Sequence, residues 1–385
     1  MHRQIPLSCP SCTPPLLIAD LLPPLTQSTL YTLSALALAT QFTPFLRKRL
    51  LGYGKTIQTV DWKDNTKDGK PAKKRLLSWV FETTVPHSYF LHFYVLALSL
   101  MTASIVGILL PAHISPLKLL LSLEVPTAIA KDPWFINYVL HPLRIQAGYS
   151  SAGNGAVNWW VLLAVTAQVG RRLWEDSTLP GKAWDKSSRE RMALGGEVTI
   201  PKAGGAGQEG KETEKEHGKT EGSRMPLPIY ISGMLFYVLL CISSWADASR
   251  TILSYEAPLP SRSQLLHITS SPLSLPDVHI LLSLPVFLLA SGTQHDIHMY
   301  LSTLEKYTLP PAKSWFSWVM APHYTMECVV YAALVGMGYG EGRCVVAAAV
   351  FVWTNLTLLG MRQRAWYGEK FGERMGNRGG TWPWL

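Results

Sequence analysis

Several side chains able to bind ligands or move protons lie at helical spacing inside stretches that are otherwise apolar. His323, Glu327 and Tyr331 fall at i, i+4 and i+8, with Cys328-Val329-Val330 between the last two, so on a helix they share one face. An ionisable group in such a run is costly and usually serves a function; the bland alternative is a satisfied hydrogen bond between helices. Gln294, His298, Ser302 and Glu305 form a second stripe at i, i+4, i+8 and i+11, with Lys306 adjacent. A surface helix would look the same, and Gln294 with His298 lacks the third ligand a metal needs. The block from Val85 to Tyr94 sets His87 and His92 among aromatic residues at the start of an apolar run. Aromatic belts account for the rings but not for His92 one turn further in. Near the C-terminus stand Arg362, Arg364, Trp366, Tyr367, Lys370 and Phe371. They suit either a membrane anchor or an anionic cofactor held by arginine–phosphate pairing.

Other apparent motifs carry nothing. Gly54-Lys55-Thr56 lacks the glycine that a phosphate loop needs five residues earlier, where Arg49 stands. No glycine-rich turn follows a strand, so a dinucleotide site here would not be of the Rossmann type. Asn355-Leu356-Thr357 matches a glycosylation acceptor but lies inside an apolar stretch. Cys9 and Cys12 form an isolated pair, and Cys241, Cys328 and Cys344 read as small buried thiols.

The elements that must position these groups are membrane helices. The 385 residues are 48% hydrophobic and only 16% charged, with a mean hydropathy of +0.12, whereas a soluble chain carries about a quarter charged residues. Apolar blocks, each about long enough to cross hydrocarbon, are expected at 28–46, 88–110, 156–170, 228–246, 277–292, 325–340 and 343–361. Residues 117–148 are apolar but broken by Pro126, Pro133 and Pro142, which suits a re-entrant or interfacial segment. Arg47, Lys48, Arg49 and the basic loop to Arg75, like Arg171 and Arg172, directly follow spans and mark cytosolic flanks. The net charge of +9 therefore belongs to membrane topology, and nucleic acid is not expected as a partner. The fold class expected is an all-α integral membrane protein of about seven transmembrane helices, its N-terminus lumenal and its C-terminus cytosolic. A proline-rich N-terminal segment, 1–27, precedes a membrane domain, 28–385. Within it, 181–224 is rich in Gly, Lys and Glu, lacks apolar periodicity, and reads as a disordered cytosolic loop.

Taken in order, several stretches resemble the steroid 5α-reductase family, and within it the polyprenal reductase branch that makes dolichol. They are Gly52-Tyr53-Gly54-Lys55-Thr56, Val85-Pro86 to Tyr94, Gln168-Val169-Gly170-Arg171-Arg172-Leu173-Trp174-Glu175, Gln294 to Lys306, Phe316 to Tyr331, and the tail from Arg364 to Leu385. The resemblance implies an endoplasmic reticulum membrane reductase that binds NADPH from the cytosolic side. Its substrate would be a long-chain isoprenoid lipid reached from the bilayer, with no obligate protein partner evident. Carried over residue by residue, Arg171, Gln294, His298, His323, Tyr324, Arg364, Tyr367 and Lys370 match cofactor positions, with Glu327 from the same stretch. Tyr94 and Glu82 stand near the family's catalytic tyrosine and acid. Departures are Glu305 for a basic residue, His323 for an Asn, Arg364-Ala365 for a His-containing pair, and two residues separating Glu82 from Val85-Pro86.

Such a reaction sends hydride to the β-carbon of a conjugated carbonyl and builds charge on its oxygen. A hydrogen bond from a Tyr or a protonated acid stabilises that charge, and a proton then reaches the α-carbon. Two rival readings remain open at this level: a sister enzyme acting on a 3-oxo-steroid or a trans-2-enoyl-CoA, and a non-catalytic membrane scaffold or transporter.

Overall fold

The computed structural model describes residues 17–42, 83–126, 157–178, 224–254, 278–304, 308–338 and 342–383. The basic loop after the first expected span, the broken apolar stretch beyond 126, residues 181–223, and Glu82, Glu305 and Lys306 lie outside the described residues.

The architecture is a helical bundle. Its main helices are α1 (Ile18–Phe42), α2 (Phe90–Leu109), α4 (Trp159–Thr178), α5 (Leu227–Ser243), α7 (Val278–Thr303), α8 (Pro322–Met337) and α9 (Arg343–Phe371), with short helices α3 (Pro116–Ser122) and α6 (Ser249–Ser254). Among the described residues, four helical stretches are long and apolar enough to cross a membrane: Phe90–Leu109, Leu227–Ser254, Val278–Thr303 and Arg343–Met375. Their outward faces carry large apolar residues such as Val95, Ile231, Leu282 and Leu289, as expected where the surrounding solvent is lipid. The core runs through all the main helices and includes Leu30, Met101, Leu162, Leu240, Phe287, Leu334 and Ala348.

Local chemistry sets the helix ends. Ser115 caps α3, its hydroxyl accepting from the Lys118 backbone N–H at 3.2 Å, with Pro116 opening the helix. Pro322 opens α8 in the same way. Helix α9 stops at Gly372, whose φ of 55° favours glycine.

Three expected boundaries move. Helix α1 begins at Ile18, taking in Pro23 and Pro24 and the last residues of the proline-rich segment. Helix α7 continues past the apolar block to Thr303, and α9 runs ten residues beyond 361 to Phe371. Apolar periodicity registers only the part of a helix in hydrocarbon, and both helices continue as polar sequence. The all-α expectation also gains one strand pair. Thr84–Pro86 (β1) runs antiparallel to Arg224–Pro226 (β2), with Val85 opposite Met225. Residue 224 thus belongs to a strand rather than to the loop expected to end there.

The ends of the bundle can be told apart by contact. The starts of α2, α5 and α8 and the ends of α4, α7 and α9 lie together. The tail holds this end closed: Met320 and Ala321 N–H groups donate to the carbonyls of Gly379 and Gly380 at 2.8 and 3.1 Å, and Thr325 donates to the Thr381 carbonyl at 2.5 Å. The tail lies so close to α9 that a Cβ on Gly360 would sit 2.0 Å from Thr381 Oγ1.

Candidate functional site

At that end, polar side chains from four helices form one connected network. Helix α4 contributes Gln168, Arg171, Arg172 and Glu175, at i, i+3, i+4 and i+7 and therefore on one face. Glu175 is the hub: Arg171 donates to Oε1, Arg172 to Oε2 at 2.8 Å, His295 Nδ1 lies 2.8 Å from Oε1, and His298 Nδ1 lies 2.9 Å from Oε2. His298 Nδ1 is also 2.6 Å from Arg172 Nη1. One ring nitrogen cannot donate to the carboxylate and accept from the guanidinium together. The carboxylate is the stronger partner, so His298 Nδ1–H points to Glu175 and Arg172 sits beside it. Burial works against ionising Glu175, but the His298 hydrogen bond and the charges of Arg171 and Arg172 hold its carboxyl well below the usual carboxylate range.

A second layer joins α7 and α8. The Gln294 side chain, 2% exposed, accepts from Arg171 and from Gln168 Nε2 (3.2 Å). Its own amide donates to Glu327 Oε2 and, at 3.2 Å, to the His323 carbonyl. Gln168 Nε2 also reaches Glu327 Oε2 at 3.4 Å, and Ser291 donates to Gln168 Oε1 at 3.1 Å. Helix α2 enters through Tyr94, whose hydroxyl accepts from Arg172 Nη2 at 3.1 Å. His323 packs between His298 (5.6 Å between centroids) and Tyr324 (4.2 Å). Two buried atoms of the network, Arg171 Nε and His323 Nδ1, have no hydrogen-bond partner among the described residues.

Beside the network, a cavity between α4, α5 and α8 is lined by Val165, Gln168, Arg172, Tyr237, Glu327 and Tyr331, among others. It holds about 10 Å³, near the lower limit for one water molecule.

Of the residues singled out from sequence, Tyr94, Arg171, Gln294, His298, His323, Tyr324 and Glu327 come together here. Tyr367, Lys370 and Arg364 are at the same end but outside the network. The Tyr367 hydroxyl donates to the Thr308 carbonyl at 3.4 Å, Lys370 Nζ lies 5.0 Å from the Trp366 ring, and Arg364 is exposed. Sequence reasoning missed Arg172, Glu175, Gln168 and His295. The first three were legible as a polar stripe at the end of the apolar run that starts at Val161, which the reading of Arg171 and Arg172 as a topological flank concealed. Tyr237, on an apolar helix, gave no such sign.

Fold and network together define a multi-helix membrane-type protein with a buried, charge-rich site at one end of the bundle. No family model matches the chain. The chain is similar to polyprenal reductase 1 of Oryza sativa subsp. indica, at 25% identity over 350 residues, covering 85% of each. It is also similar to polyprenal reductase of Saccharomyces cerevisiae, at 27% identity over 152 residues, 40% of this chain and 49% of that protein. Polyprenal reductase 2 of Arabidopsis thaliana is 24% identical over 183 residues, 42% of this chain and 53% of that protein. The last two matches span about half the length of those relatives. All three bear the name of the branch that the sequence stretches resemble.

Proposed function

We propose that this protein is an NADPH-dependent reductase of the α-isoprene double bond of polyprenal, acting in the endoplasmic reticulum membrane in dolichol synthesis for protein N-glycosylation. The observation that carries the reading is the likeness to a polyprenal reductase over 85% of both chains. The buried network supports it, since charged and polar groups inside a membrane-type bundle usually mark a functional site. Helices α1, α4 and α8, packed beside the four long apolar stretches, would bring the crossings to the expected seven, with the C-terminus cytosolic.

The residues at the network end fit a nicotinamide nucleotide. Arg171 Nε and His323 Nδ1 are buried atoms without a partner, of the kind a carboxamide would engage, and they flank Gln294 and Glu327. Arg364, Lys370 and the Tyr367 hydroxyl, at the end of α9, would hold the phosphates, with Tyr324 beside His323. When bound, the reduced nicotinamide would supply the hydride. The protein's part is to hold the aldehyde and stabilise charge on its oxygen. Tyr94 is suited to that: Arg172 donates to its oxygen, leaving the phenolic proton for an acceptor. Glu82, outside the described residues, is the acid proposed to act with it.

Purified protein in lipid nanodiscs, given polyprenal and NADPH, should yield dolichal with one NADPH oxidised per aldehyde. Folded protein that leaves both unchanged would overturn the reading. Arg364→Ala should raise the KM for NADPH several-fold with little change in kcat; unchanged kinetics would move the phosphate contacts elsewhere.

A further inference from the structure

We infer that the cavity between α4, α5 and α8 seats the substrate's carbonyl oxygen, and that the Tyr331 hydroxyl is a catalytic hydrogen-bond donor to it. This rests on the reductase reading above.

The cavity has a direction. Descending α4 away from the network, its wall passes from Arg172 through Gln168 to Val165; on α5 it passes from Tyr237 to Leu240, and on α8 from Glu327 through Tyr331 to Leu334. It is polar at the network and apolar at the centre of the bundle, as a lipid with a single oxygen at its head requires. Tyr331 is 3% exposed, so its hydroxyl is removed from bulk water. No hydrogen bond among the described residues engages that hydroxyl, whereas Tyr94 accepts from Arg172 and Glu327 Oε2 takes both Gln168 and Gln294. A buried hydroxyl with an open donor beside a guanidinium suits an oxygen that gains negative charge. With room for about one water molecule, the cavity admits a carbonyl oxygen.

The electrons balance with the reductant already named. As a C–H bond forms at the β-carbon, the C=C π pair shifts to make an enolate, and the carbonyl π pair moves onto the oxygen, which Tyr331 faces from α8 while Arg172 and Tyr94 stand on the network side. A proton supplied by water then adds to the α-carbon, leaving hydroxide to the solvent and restoring the C=O bond, and the product is the saturated aldehyde. Tyr331 donates a hydrogen bond throughout and keeps its proton.

Tyr331→Phe keeps the ring against Phe236 and removes one oxygen. In nanodiscs it should melt as the wild type does, bind NADPH with unchanged affinity, and lose about 100-fold in kcat. It should also bind polyprenal several-fold more weakly in the absence of cofactor. Val165→Ile, one methylene added to the apolar wall, should raise the KM for polyprenal several-fold without altering NADPH affinity. If wild-type protein reduces polyprenal and Tyr331→Phe does so at the same kcat, the seat is elsewhere while the reductase reading stands. If the wild type neither binds NADPH nor reduces polyprenal, both fall.

Discussion

At the end of the bundle away from the network, polar groups work in small sets, although the buried Trp245 Nε1 has no hydrogen-bond partner among the described residues. Asp20 takes two hydrogen bonds from Arg250, at 2.5 and 2.6 Å, tying α1 to α6. Asp247 accepts from the Cys344 backbone N–H at 2.8 Å and so caps α9 from another element, while Asn158 donates to the Met337 carbonyl at the end of α8, at 2.7 Å. Each contact satisfies a helix terminus or pairs one charge with one other. At the network end, one carboxylate serves two arginines and two histidines, and side chains bond one another across four helices. Polar groups that finish helices report on folding. Polar groups that bind one another across four helices mark the candidate site.

The largest test of that difference is Glu175→Gln. It leaves two partly buried guanidinium groups facing a neutral amide, and breaking a buried ion pair costs about 3 to 5 kcal/mol. The variant should show a large drop in melting temperature and lose NADPH binding, and a wild-type melt would remove Glu175 as the hub. Its pH behaviour sharpens the point. The folded-state pKa of Glu175 is depressed, so its contribution is complete above the unfolded value of about 4.3 and is lost as pH falls towards the folded one. The melting temperature should gain no Glu175-dependent slope between pH 7 and 5 and should fall below about pH 4, and that acid-side slope should shrink in Glu175→Gln.

At the other end, Asp247→Ala should cost about 1 to 2 kcal/mol, the usual loss of a helix cap, with the KM for NADPH unchanged. A raised KM would mean the two ends are coupled. The smallest effect is expected between the two strands: deleting 190–220 should leave most reductase activity at normal protein level, and complete loss would place a site in that loop.

Much of this was legible because hydrocarbon enforces sequence rules. The block at 88–110 became Phe90–Leu109 with little displacement, and the His323–Glu327–Tyr331 stripe lies on α8 facing the network and cavity. Legibility stopped where pattern and role part. Arg171 and Arg172 obey the positive-flank rule and are also the arms of the site, and one rule hid the other. Glu175 gave no sign of its role as the hub because its partners, His295 and His298, are 120 or more residues away in sequence. The pairing of β1 with β2 joins segments too short to show a strand period.

The length of α9 has a consequence for where chemistry occurs. Its 29 residues would measure roughly 43 Å, against about 30 Å of hydrocarbon. If it starts at the far interface, it emerges near residue 363, and its last large exposed apolar residue is Met361. On α7, large exposed apolar residues run from Val278 to Leu289 and then give way to a lone Tyr300. On that placement Gln294 and Glu327 would lie just beneath the headgroups, and Arg364 and Lys370 above them. On the proposed reading, a nucleotide held by that raised rim would stay dissolved in water and a polyisoprenoid with its oxygen at the cavity would stay dissolved in the bilayer, so that two solutes would react without leaving their own solvents.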